Sequence, residues 1–114
     1  MSDPDVGDVA WVEFDPVLGT EQGRRRPSLI LTPRLYHERS SRAIVCPITS
    51  KVGDWPFNVA LPEGMRTRGA VQIDQIRTIH RSSRMFRIVE RAPDSLLEEV
   101  RARLGTLLGI IAVT

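Results

Sequence analysis

The sequence predicts a small, mainly β domain closed by one carboxy-terminal helix. Three observations carry this. Seven short runs rich in Val, Ile and aromatic residues, at 7–14, 28–33, 43–48, 57–61, 69–73, 75–80 and 85–90, are separated by Gly, Pro or charge clusters. No ten-residue helical pattern lies between them, which argues against parallel βαβ units and for a small antiparallel barrel or sandwich. Only the last segment changes period, with Leu97, Val100, Leu104, Leu107, Leu108 and Ile111 at helical spacing. At 114 residues the chain is read as one domain over 1–114, long enough for a single core.

Residues 1–6 carry two aspartates and a proline and read as a loose tail. The first strand, 7–14, runs into the loop 15–27, whose three consecutive arginines, Arg24, Arg25 and Arg26, precede Pro27 and the second strand. Further loops are expected at 50–56 and 62–68, and a helical turn fits 34–40. The helix is expected over about 93–111, with Pro93 in its first turn, Ser95 and Glu98 as a capping box, and Glu99 with Arg103 as an i,i+4 ion pair. Gly105 and Gly109 weaken that helix while permitting close approach of another backbone.

Composition narrows the function. Net charge is only +2, so nucleic acid cannot be held by bulk attraction and any such site must be local. All sixteen basic residues except Lys51 are arginine, a better fork for phosphate and a better stacking plane for bases than lysine; codon usage in a GC-rich genome accounts for the same bias. Cys46 is the single cysteine and lies in an apolar run, where it reads as a small buried hydrophobe in a reducing compartment. No segment suits a signal peptide or a membrane span, so a cytoplasmic protein is expected. His37 and His80 stand far apart, and no Cys, His or carboxylate spacing suits a metal, so neither metal nor cofactor is expected.

The candidate site starts from the arginine run. Arg24 and Arg25 are expected at a loop tip as solvated charge, whereas Arg26 abuts the stiff Pro27 and springs from a defined backbone position. Thr49 and Ser50 end the run Pro47-Ile48-Thr49-Ser50 and supply hydroxyls if that strand end lies beside the loop. Trp55, next to Pro56, is either a stacking plane for a base or an anchor for its own loop. Arg66, Arg68 and Arg77 are placed to follow phosphates.

These stretches, Gly19-Thr20-Glu21-Gln22-Gly23, Arg26-Pro27, Pro47-Ile48-Thr49-Ser50 and Asp74-Gln75-Ile76-Arg77-Thr78-Ile79, with the terminal helix, resemble the MazF/PemK/Kid toxins nearly end to end. The resemblance implies an SH3-like, CcdB/MazF-type antiparallel β-barrel with a carboxy-terminal helix and a two-fold homodimer. It also implies metal-independent, sequence-specific cleavage of single-stranded RNA to 2′,3′-cyclic phosphate and 5′-hydroxyl ends, silenced by a MazE-like antitoxin. Arg26 and Thr49 fall on the catalytic pair of many members. Ser50, Asp74, Glu21 and Gln22 are candidate supporting residues, and Thr20, Arg24, Arg25, Trp55, Arg66, Arg68, Gln75 and Arg77 candidate RNA contacts. The chain departs from the Kid/PemK set of histidine, arginine and aspartate, with Thr20 at the histidine position and Gln72 at the arginine position, while Asp74 is kept. A gyrase-poisoning toxin of the CcdB type and a non-catalytic RNA-binding module on the same barrel are the alternatives.

Overall fold

The computed structural model describes residues 3–14 and 24–110, apart from the side chains of Arg24 and Phe86. Among the described residues seven strands form: β1 (Asp8–Phe14), β2 (Arg24–Ile30), β3 (Arg42–Thr49), β4 (Asn58–Ala60), β5 (Ala70–Gln72), β6 (Arg77–His80) and β7 (Met85–Arg91). Three helices accompany them: α1 (Arg34–His37), α2 (Arg81–Arg84) and α3 (Asp94–Leu107). The strands pair antiparallel throughout, in the order β4-β5-β3-β2-β1-β7, with β6 also on β3. The sheet does not close: among the described residues no ladder joins β7 to β4. None of the described helices is long and apolar enough to cross a membrane.

β3 is the shared strand. One edge pairs with β2, and the other meets β6 at Val45↔Arg77 and β5 at Ile48↔Val71. Between those two ladders the chain makes a 3-10 turn at Ile73–Gln75 instead of pairing. The cause is legible in β3. Leu31 N–H donates to Ile44 O, and the alternation of an antiparallel ladder then aims Cys46 at β2 and Pro47 at the opposite edge. Pro47 has no N–H to give there, so the pairing strand leaves at that point.

The strands bury residues on both faces. Val9, Leu29, Cys46, Ile48, Val71 and Ile73 form one cluster with Leu96, Leu97 and Val100 of α3. Ala10, Val12, Ile30, Ala43, Val45 and Ile79 form a second on the other face, with Phe14 and Met85 against it. The apolar spacing of α3 is therefore the seam to the first cluster, completed by the half-buried Leu104 and Leu107.

Several expectations are corrected. β2 begins at Arg24, inside the expected loop, because β1 continues to pair with it: Phe14 faces Arg24, Glu13 faces Arg25 and Val12 faces Arg26. The cross-strand Glu13–Arg25 ion pair, at 3.6 Å, supports the extension. Residues 3–6 are not a loose tail. Buried Pro4 accepts a hydrogen bond from buried His37 at 2.7 Å, Arg34 N–H donates to Asp5, and Arg81 lies 3.6 Å from Asp3. The Arg34 N–H, with that of Val6, holds the Asp5 carboxyl below its ordinary range.

On α3, the residue preceding the helix is Pro93, with no side-chain cap, so Ser95 lies inside the first turn and the capping box does not form. The Glu99–Arg103 pair does, at 3.1 Å. Gly109, assigned above to helix packing, is instead the terminator: its φ is +72°, its N–H donates to Thr106 O, and Ile110 N–H donates to Gly105 O. Those two bonds are the Schellman pattern, which needs a left-handed residue just past the helix. Gly105 is buried within the protomer.

Candidate functional site

The first strands and the end of β3 bring Arg26 and Thr49 to one cleft of about 660 Å³. Arg26 lies in mid-β2 opposite Val12, and Thr49 is the last residue of β3, opposite Ala70. Both are half-buried, so their backbones are fixed by ladders while their polar ends reach the opening. Trp11, Arg25, Pro27, Ser50, Lys51, Arg66, Thr67 and Arg68 share the lining. Among the described residues that line it, five side chains are cationic and none is acidic. On a chain of net charge +2, that concentration of one sign selects an anionic ligand.

Gly69 explains how Thr49 is held. With φ at +122°, it lies so close to β3 that an added Cβ would sit 1.9 Å from Thr49 O. Only glycine lets the backbone pass there. On the other side, Lys51 N–H donates to Thr49 Oγ1 at 3.2 Å. That bond occupies the hydroxyl oxygen as acceptor and leaves its proton to donate outward.

Arg26 lies between two spaces. Besides the cleft, it lines a second cavity of about 420 Å³ with Phe14, Pro47, Gln72, Gln75 and Arg77. Its Nη1 donates to Gln72 Oε1 at 3.2 Å, so an uncharged amide stands against it. The Arg77 guanidinium lies over the Phe14 ring, 5.2 Å from its centroid, making a flat wall. The break in β3 pairing at Pro47 is what opens this space between β5 and β6.

Asp74 and Trp55 line neither space. Trp55 Nε1–H donates to Asp74 Oδ2 at 2.8 Å, and its ring meets Phe57 edge-on with centroids 5.7 Å apart. The indole is still 53% exposed. Both readings of Trp55 thus have a basis: one edge anchors the loop and one face is open. Asp74 is an anchor for Trp55, in the 3-10 turn with Gln75.

Of the remaining candidates, Thr20, Glu21 and Gln22 lie outside the described residues, as does the side chain of Arg24. His37 is a buried structural residue between Pro4 O and the Thr32 hydroxyl. His80 Nδ1 stands 3.1 Å from the Ser82 hydroxyl at the start of α2 and lines neither space. Burial, reinforced by the negative charge of Asp74, pushes the Cys46 thiol up to about 12, which rules it out as a nucleophile near neutrality. Among the described residues no group of three or more His, Cys, Asp or Glu could hold a metal.

Sequence reasoning missed Lys51, Thr67 and Gln72 as site residues, and Glu90 behind them. Glu90, on β7, accepts from Arg66 N–H at 3.0 Å and from Thr67 N–H and hydroxyl at 2.7 and 2.6 Å. Burial would raise its carboxyl, but these three donors and the Arg66 charge outweigh it and hold the group below its ordinary value.

Comparison with known proteins covers nearly the whole chain. Residues 5–108 match the family model described as PemK-like, MazF-like toxin of type II toxin-antitoxin system. The chain is 31% identical over 106 residues to the endoribonuclease toxin MazF of Escherichia coli strain K12, covering 93% of this chain and 95% of that protein. It is 38% identical over 112 residues to the Escherichia coli endoribonuclease PemK, covering 94% and 84%. Its structure is similar to a chain in a MazE-MazF crystal structure from Deinococcus radiodurans, with a TM-score of 0.87 and 39% identity over 95% of this chain and 97% of that one.

Proposed function

The chain belongs to the PemK-like, MazF-like family of toxins of type II toxin-antitoxin systems, and from that premise we propose that it is an endoribonuclease whose catalytic pair is Arg26 and Thr49. The observation that carries the assignment is the cleft itself. It gathers a guanidinium, a hydroxyl with its proton free to donate, and four further cations, and no described lining residue is a carboxylate that would repel a phosphodiester.

Cleavage without a metal needs the neighbouring 2′-hydroxyl to lose its proton as its oxygen attacks phosphorus, the P–O5′ bond to break as O5′ takes up a proton, and the extra negative charge on the phosphoryl oxygens to be stabilised. Arg26 meets the last need, because a planar cation grips two oxygens at once and is already oriented by β2 and by Gln72. Thr49 donates to the same phosphate. An always-charged guanidinium is a poor proton acceptor, so Arg26 is assigned to charge stabilisation alone. The products are a 2′,3′-cyclic phosphate and a 5′-hydroxyl, and DNA, lacking the nucleophile, survives.

The second cavity suits an adjacent nucleotide: Phe14 and Arg77 offer a stacking wall, and the Gln72 and Gln75 amides offer donors and acceptors for a base edge. Trp55 offers a further stacking face, and Arg25, Arg66 and Arg68 track phosphates. Chain 1–114 acts as one toxin unit, as a homodimer. Structural relatives are named as MazE-MazF complexes, and the same cationic cleft suits the acidic, flexible segment of a cognate antitoxin.

The test is incubation of purified protein with a long mixed-sequence RNA in excess chelator. Discrete fragments with cyclic-phosphate ends are expected. RNA left intact would overturn the reading, and would favour a gyrase-directed toxin or a binding module on the same fold.

A further inference from the structure

The wall of the cleft that carries Arg66 and Arg68 belongs to no strand or helix. What ties its Arg66–Thr67 step to the sheet is one carboxylate: Glu90 accepts both backbone N–H groups and the Thr67 hydroxyl, from a strand more than twenty residues further along the chain. Neither N–H has a ladder partner, so without Glu90 both face water or go unpaired. Glu90 itself is half-buried and lies outside the cleft lining, whereas Arg66, Thr67 and Arg68 are in it. An acid in this position supplies the fixed end of a tether and places no negative charge on the wall that meets the ligand.

We propose that Glu90 is a positioning residue for RNA binding: it clamps the Arg66–Arg68 segment so that both guanidiniums face phosphates flanking the scissile bond. This rests on the endoribonuclease reading above and goes beyond it, since Glu90 touches neither Arg26 nor Thr49 by any of its bonds. Its effect belongs to substrate affinity. Removing a contact that is equal in ground and transition state raises KM and leaves kcat alone.

Glu90→Gln replaces one acceptor oxygen by an NH2, which opposes one of the two backbone N–H donors, since Arg66 N–H and Thr67 N–H donate to different oxygens. It is expected to raise KM for a short single-stranded RNA substrate roughly tenfold with kcat within about twofold. Thr67→Val, which removes one of the three donors, is expected to act in the same direction more weakly, and it decides the matter if Glu90→Gln does not fold. In an Arg66→Ala/Arg68→Ala background, Glu90→Gln should have little further effect, because the tether then has no guanidiniums to place. A fall in kcat at unchanged KM, or a KM effect undiminished in the double-alanine background, would overturn the proposal. Binding of a mixed-sequence 2′-O-methyl RNA, which cannot be cleaved, gives a parallel readout. If the parent binds it but cuts no RNA, the nuclease reading fails, and a Glu90→Gln affinity equal to that of the parent then overturns the tether independently.

Discussion

Arg26 is the residue on which most of the proposed chemistry depends, and three substitutions probe it and the way Thr49 is held. Arg26→Ala should slow cleavage at least about a hundredfold with the fold retained, the scale of a lost oxyanion donor, and Arg26→Lys should recover little because a point charge lacks the two-pronged grip; single-turnover rates on one RNA report both. Gly69→Ala tests Thr49. The new methyl would lie 1.9 Å from Thr49 O in a left-handed backbone, so β3 must shift at its end. The variant should lose more than about 1 kcal/mol in urea unfolding and lose cleavage as well. Arg26 was legible in the sequence because Pro27 follows it. Gln72 and Glu90 were not: their partners stand 46 and 23 to 24 residues away, and no local pattern reports a bond across that span.

At the scale of elements, the strands were the most legible part because alternation and punctuation are local signals, and all seven formed, six of them close to the expected bounds and β2 displaced toward the first loop. The errors fall where tertiary pairing overrides local chemistry. Glu13 draws Arg25 out of the expected loop into β2, and Asp3 and Asp5 find arginine partners that turn an apparent tail into a packed segment. α2 has four polar residues and no periodicity to show it. Ser95 and Glu98 had the spacing of a capping box but begin two positions too late, since Pro93 already holds the cap position before the first helical residue. Gly109 gives a prediction at this scale. As a helix terminator with open space around it, Gly109→Ala should cost about 1 kcal/mol in thermal or urea unfolding. Light scattering should find the association state unchanged. A shift in association with stability intact would return Gly109 to an interface role.

For the whole molecule, the near-neutral total and the concentrated cleft together set how partners bind. Affinity for single-stranded RNA should fall with salt at a logarithmic slope of roughly 0.7 per phosphate engaged, so about 2 to 4 if three to five of the lining cations take part. A cognate antitoxin, on the proposed reading, should compete with RNA and show a parallel loss with salt; a salt-independent complex, or one that still cleaves at full rate, would place the antitoxin elsewhere. The feature that shapes this surface most economically is Pro47. One missing N–H parts β5 from β6 and leaves room for Gln72, Gln75 and Arg77 around a cavity that continuous pairing would fill. A variant with an ordinary residue there regains the option of an unbroken ladder, and with it a more stable but blunter protein. Selection for thermal endurance alone should therefore favour escape at position 47, with survivors that melt higher and cut less discriminately. Toxicity, on this view, is maintained against a standing pull toward a better sheet.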